Sequence, residues 1–387
     1  MSTYPLVPLA GVATVRSGYA FKSSDWTESG VPVLKIANIH PGLVDLAGCG
    51  FVDEATAAKA QSFTVERDDS LIAMSGASVG KIGRVRFSER ALVNQRVGRF
   101  SVLDPAKLDA DFLYYSLQLP ATVDYLTGSA YGSAQPNISP SLILNAEIPL
   151  PSLSEQKSIT DLLCSLDDKI AANNKTIQLA DSLTSALAED AFSRGNFVPL
   201  ASIAEITMGN SPKGETLNED GEGLAFFQGI RDFGVRYPQE RVSSTAPTRF
   251  AKELDTLFSV RAPVGTVNLA GMPCSIGRGI SALSSKTETP YALFQAVRAS
   301  KIWERYNAEG TVFGSINRKQ LEQSEIPWVF HSERYELEST LAGLERLLRT
   351  ATVMNETLSS IRDTLLPQLM SGKLRVREAE AVVEDVL

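Results

Sequence analysis

The sequence predicts an α+β fold: two tandem copies of a mainly-β globular domain, each followed by a long helix, with the two helices paired as an antiparallel coiled coil of pseudo-two-fold symmetry. Three observations predict it. The 387 residues exceed one ordinary core and suit two domains of roughly 150 residues with connecting elements. Long strings in the first half recur, in the same order, in the second. Two segments carry apolar residues at three-to-four spacing over many turns, which is the pattern of an amphipathic helix.

The first globular domain is expected over residues 1–152 and the second over 196–331. VPLAGVATVRSG at 7–18 returns as VPLASIAEITMG at 198–209. LKIAN (34–38) falls opposite FQGIR (227–231), SLIAM (70–74) opposite TLFSV (256–260), and ASVGK (77–81) opposite APVGT (262–266). Gly128 to Gly132 pairs with Gly310 to Gly314, and AEIP (146–149) with SEIP (324–327). The separation shrinks along the chain, so the second copy has lost loop residues while keeping its elements. A repeat this long is a domain duplication and not a solenoid of short units. Within each copy, short runs such as VPVLKIANI and LAFFQGI are broken every few residues by Gly, Pro, Ser and Asn, which reads as short strands. DADFLYYSLQL at 109–119 reads as a helix.

The first long helix is expected within residues 153–195, with Ser154 as its N-cap after Pro151 and Gly195 at its end. Ile159, Leu162, Leu163, Leu166, Ile170, Ile177, Ala180, Leu183 and Leu187 form its stripe. The second occupies 332–376, with Leu337, Leu341, Leu344, Leu347, Leu348, Ala351, Met354, Leu358, Ile361, Leu365 and Leu369 on the stripe, Pro367 in the last turn or at a kink, and Gly372 closing it. About 38 residues rise roughly 57 Å, longer than one such domain needs for its own core. Each stripe therefore needs a partner, and the other helix supplies it; separate cores, or pairing between two chains, are the alternatives. Residues 377–387 read as an acidic, frayed tail.

The composition, 43% hydrophobic and 21% charged, is that of a globular protein. A net charge of −8 and a pI near 5.1 exclude nucleic-acid binding by bulk charge, so any such site is local. Cys49, Cys164 and Cys274 are widely spaced and encode neither a disulfide framework nor a thiolate metal site. His40 and His331 are the only histidines for general acid–base work. SGASVGKI at 75–82 has three residues between Gly76 and Gly80, and Ile82 after the lysine, so it is not a phosphate loop. Asp68 and Asp69, adjacent on a turn, do not converge on a cation. No donor motif of a DNA methylase is present, and no metal site is expected. MSTYPLVPLA has no leader pattern, and no apolar run approaches the ~20 residues of a membrane span, so a cytoplasmic protein without a membrane partner is expected.

One local basic cluster stands out: Lys81, Arg84, Arg86, Arg90, Arg96 and Arg99, opposed within that stretch by Glu89. Cations on strands and loops neutralise phosphates, and Arg, Asn and Gln at loop tips reach base edges in the major groove. In the second copy Arg231, Arg249, Lys252, Arg261, Arg278, Arg318 and Lys319 are more dispersed and give a weaker signal.

The domain starts at 7–18 and 198–209, GVPVLKIANI (30–39), NAEIPLPSLSEQKSI (145–159), QSEIPWVF (323–330) and RDTLLPQLMSGKLRV (362–376) together resemble the specificity subunit of type I restriction-modification systems over nearly the whole chain. The second copy departs from the pattern where IPLPSLSEQ becomes IPWVFHSER. The resemblance implies a non-catalytic subunit in which each globular domain is a target recognition domain reading one half of a bipartite sequence in double-stranded DNA. It also implies that the helices act as spacer and docking surface for two methyltransferase subunits. Those subunits carry S-adenosylmethionine; this chain binds no cofactor, and a restriction or translocase subunit can join. Aligned positions that differ between the copies suggest Lys35, Asn38, Gln228 and Arg231 as base readers, with Lys22, Lys81, Arg84, Arg96, Arg261, Arg278, Arg318 and Lys319 as phosphate or mixed contacts. The alternative from another class is a duplicated scaffold for protein or glycan ligands.

Overall fold

In the computed structural model, which describes residues 3–128, 137–307 and 314–384, the chain divides into two compact units: residues 1–171 with 355–387, and residues 172–354. Each unit therefore contains one globular domain and half of each long helix.

Unit 1 contains a four-stranded antiparallel sheet in the order Ile82–Arg84, Ser70–Ala73, Val97–Val102, Ala13–Ser17. A five-stranded sheet runs Trp26–Thr27, Gly50–Val52, Val31–Leu34, Ala91–Val93, Thr64–Val65, with Val31–Leu34 and Ala91–Val93 parallel. Alternating residues of Val31–Leu34 serve two cores, as the two-residue period of a strand requires. Leu34 packs with Leu71, Val93 and Val97, while Val33 packs with Val52, Ala57 and Leu92. A short pairing of Leu6–Pro8 with Glu147–Pro149 joins the start of the domain to its end. The expected helix is present as Ala110–Leu117, capped by Asp109, whose carboxylate accepts from the Asp111 and Phe112 amides.

Unit 2 has the same strand orders: Val267–Leu269, Thr256–Ser259, Ile280–Ser285, Ala204–Met208, and Leu217–Asn218, Ser243–Ser244, Leu224–Phe227, Cys274–Ile276, Phe250–Ala251. Its one parallel pair, Leu224–Phe227 with Cys274–Ile276, matches that of unit 1. The matched glycines of ASVGK and APVGT have a structural role, because Gly80 (φ +82°) and Gly265 (φ +95°) take the left-handed conformation at equivalent turns. A Cβ at Gly265 would lie 2.4 Å from the Cβ of Trp303. The Gly128–Gly132 and Gly310–Gly314 match lies mostly outside the described residues.

The first long helix runs Leu153–Arg194 and the second Arg334–Met370. They are antiparallel in both units. In unit 1, Asp167 meets Arg362 at 2.8 Å, and the Ile170 carbonyl accepts from Asn355. In unit 2, Arg194 lies 3.2 Å from Glu333. Ile159, Leu163, Leu166, Leu358, Leu365 and Leu369 are buried in unit 1, as the stripe requires. The N-cap of the first helix is Ser152 and not Ser154: the Ser152 hydroxyl accepts from the Glu155 amide at 3.3 Å. Pro367 lies inside the second helix, and Gly372 (φ +71°) closes it, its amide donating to Leu369. The tail differs from expectation. Val376–Glu384 is helical with Ala379 and Val383 buried, because its apolar residues recur at four-residue spacing and give it a face to bury. Residues 385–387 lie outside the described set.

Candidate nucleic-acid interface

The local basic cluster of the first copy is largely neutralised by folding. Arg84 is 5% exposed; it pairs with Asp111, lies 3.2 Å from Asp68, and stacks on Tyr114 at 5.1 Å. Burial opposes its charge, but Asp111 and then Asp68 beside it hold its guanidinium above the ordinary value. Arg86 pairs with Asp68 and Asp168, Arg90 with Glu54, and Arg99 with Asp69. The expectation of a phosphate contact at Arg84 is therefore corrected, since a buried arginine paired with two carboxylates presents nothing to a ligand. Exposed Lys81 and Arg96 are the members of the cluster without a carboxylate within 4.0 Å among the described residues.

Asn38 is also corrected. It is fully buried, its carbonyl oxygen accepts from the Lys35 amide at 2.9 Å, and its amide donates to the Ala47 carbonyl at 2.8 Å. In unit 2 Asp232 fills this place, accepting from the Gln228 amide at 2.7 Å. The turn of the second copy holds one extra residue, so Asn38 corresponds to Asp232 and not, as the sequence strings suggest, to Arg231, which falls opposite Ala37. Lys35 and Gln228 do correspond: each follows the parallel strand pair, at Leu34 beside Val93 and Phe227 beside Ile276. Lys35 is half-buried, its ammonium 4.6 Å from the Trp26 ring.

The remaining candidates gather at equivalent ends of the two domains. The turn Asn94–Arg96 matches Gly277–Gly279: the Asn94 and Gly277 amides donate to Leu34 and Phe227, and Arg96 and Gly279 accept from Met74 and Val260. The bridges Ser75 to Asn137 and Arg261 to Ser315 occupy the same place. Ser75 thus corresponds to Arg261, Gln95 to Arg278, and Arg96 to Gly279. In unit 1 these loops line a cleft of ≈ 1000 Å³ with Ser17, Ser75, Gln95, Arg96 and Asn137 on its wall. In unit 2 the cleft is ≈ 160 Å³ and is lined by Gln228, Ile230, Arg261 and Arg278. Arg231 is next in the chain to Ile230, and the Arg249 carbonyl accepts from Ile276 at the foot of the turn carrying Arg278. Arg231, Arg249, Arg261 and Arg278 are exposed, and among the described residues none has a carboxylate within 4.0 Å. The weaker sequence signal thus belongs to the copy that keeps more of its arginines unpaired.

Lys22, Arg318 and Lys319 are exposed but line neither cleft. Lys22 precedes a short turn and receives a backbone cap from Asp25, and Lys213 stands at the same place in unit 2. Arg318 pairs with Glu322 along its own helix at 2.7 Å. Ser75, Gln95, Asn137, Ile230 and Lys213 are cleft or flanking residues that the sequence reading passed over; the position of Arg278 between two glycines was the signal of an exposed turn there.

Residues 1–180 match the family described as the type I restriction modification DNA specificity domain. Along the chain, 26% identity over 94% of its length relates it to the putative type I restriction enzyme MjaX specificity subunit of Methanocaldococcus jannaschii, of which 91% is covered. The MjaVIII specificity subunit of the same organism is 34% identical over 44% of this chain and 41% of its own. The fold is similar to that of a type I restriction-modification system S subunit from M. genitalium, with a TM-score of 0.65 and 19% identity over 95% of this chain and 96% of that one. No helix among the described residues is long and apolar enough to cross a membrane. With the duplicated domain-plus-helix plan, these likenesses make the chain similar, over nearly its whole length, to specificity subunits of type I restriction-modification systems.

Proposed function

We propose that this chain is a non-catalytic DNA sequence-specificity subunit that reads a bipartite target, one half-site per globular domain. The observation that carries the reading is the pair of equivalent loop ends bearing cations without carboxylate partners, on a chain of net charge −8. An acidic body repels DNA at large, so attraction is confined to those two ends, which favours specific over bulk binding. At each end, residues from several strand connections converge on one cleft, the arrangement that lets side chains of a rigid scaffold address base edges. The paired helices act as the spacer, with half-sites on one face of the duplex about one helical turn apart, centre to centre.

The helices also dock two methyltransferase subunits, which bring S-adenosylmethionine to an adenine in each half-site, and a restriction or translocase subunit can join them. Exposed Leu179, Leu183, Leu347 and Val353 on the helix pair of unit 2 support this, because apolar side chains lined along a helix pair suit another helix. The complex acts in the cytoplasm, where chromosomal DNA is. Gel-shift assays of the chain assembled with its methyltransferase subunits, over a salt series and a library of DNA sequences, test the reading. A retained bipartite motif is expected. Retention independent of sequence, or none, favours a scaffold for protein or glycan ligands instead.

A further inference from the structure

Phosphates are identical at every sequence, so a position that serves the backbone should keep its cation in both domains, whereas a position that reads bases should change with the half-site. Lys22 and Lys213 keep the cation at equivalent turns. Ser75 against Arg261, and Gln95 against Arg278, do not. Arg261 and Arg278 line one cleft, are exposed, and lack a carboxylate partner among the described residues. Each projects from a short connection closed by strand hydrogen bonds: Val260 donates to Gly279, and Ile316 to Val260. Their backbones are thereby fixed relative to each other, and neither guanidinium is held by a carboxylate among the described residues; the Arg278 Nε donates to the Ser211 hydroxyl at 3.4 Å, which leaves its two terminal nitrogens for a ligand. A guanidinium fork matches the O6 and N7 acceptors that guanine shows in the major groove, whereas glutamine matches adenine.

We propose that Arg261 and Arg278 are specificity-determining residues that read guanines in the half-site of the second domain. The first domain, with Ser75 and Gln95 at those two places, makes no such pair of contacts. This rests on the reading of the chain as a bipartite DNA-specificity subunit. Ile230, 38% exposed on the same cleft wall, offers an apolar surface to a thymine methyl beside them.

The test uses the full chain assembled with its methyltransferase subunits, and the target found for the unaltered complex. Arg261→Ser and Arg278→Gln are suitable variants because the same connections of the first domain already accept those residues. Binding is measured on the target and on a set in which each base pair is changed in turn. Each variant is expected to lose about 5- to 150-fold in affinity for the target and to lose discrimination at one guanine of one half-site. Arg278→Gln should move preference there toward adenine. Uniform weakening on all sequences with a shallower salt dependence would make these arginines phosphate contacts and overturn the proposal, as would a target whose affected half lacks guanine. A different failure, no preferred sequence for the unaltered complex, would remove the underlying reading itself.

Discussion

Replacing Glu345 with glutamine isolates the buried ion pair of unit 2. Glu345 is 1% exposed and Arg236 6%. The Arg236 Nε donates to Glu345 at 3.1 Å, another of its nitrogens lies 3.1 Å from Asp181, and its guanidinium stacks on Phe294 at 4.8 Å. Burial pushes the Glu345 carboxyl up, and Arg236 beside it opposes that shift. The equivalent position in the first long helix is Leu163, also fully buried, as the places of Gln156 and Glu338 show: each side chain accepts from the backbone entering a packed helix, at Asp109 and at Tyr291 and Ala292. Removing one partner of a buried pair costs about 3–5 kcal/mol. Asp181 remains with Arg236, so Glu345→Gln is expected near the lower end, about 3 kcal/mol, which lowers the melting transition of this unit by roughly 6–12 °C. Glu345→Leu combined with Arg236→Leu removes both charges and is expected within about 1 kcal/mol of the unaltered chain. Calorimetric or chemical denaturation of the three proteins reads this directly. A single variant as stable as the parent, or a double variant no better than the single, would refute the assignment.

Arg84→Ala should destabilise unit 1 by about 2 kcal/mol, because it removes the charged contacts to the part-exposed Asp111 and Asp68 and the stacking on Tyr114; base preference of the folded fraction should not change, and a changed preference would restore Arg84 to the interface. Hydrogen bonds from Arg298 at 2.6 and 2.7 Å hold the Asp181 carboxyl below its ordinary range. A depressed folded value gives stability that is full above the unfolded value, near pH 4, and lost as pH falls through the folded one. Asp181→Asn should therefore be less stable than the parent at pH 7, with the gap closing below about pH 4 in acid titration; a gap independent of pH would contradict this. Deleting residues 171–174 together with 353–356, which lie opposite one another at the Ile170–Asn355 contact, shortens each helix by about 6 Å and rotates it by about 40°. The gap between half-sites should shrink by one or two base pairs with both half-sites unaltered, as read by methylation mapping; changed half-sites would contradict the division of labour.

The duplicated plan was legible because strand order follows from repeated strings, and helical periodicity survives over many turns even where single residues differ. Charge was less legible. Arg84, Arg86, Arg90 and Arg99 look free in sequence because their carboxylates, Asp111, Asp168 and Glu54 among them, arrive from other elements. Local counting sees only Glu89. Asn38 was misplaced by one residue because an extra residue in a turn leaves the flanking strands aligned and shifts only the turn itself. The cleft residues Gln95 and Ser75 are ordinary in sequence and become notable only where ladder hydrogen bonds bring three connections together.

Exchange of one globular domain tests the central claim most directly. Residues 13–144 are replaced by the corresponding segment of a relative with a known target, and the methylated or retained sequence is mapped for the assembled complex. One half-site should change to that of the relative, with the other half and the spacing kept. A change in both halves, or in neither, would contradict independent reading by the two domains.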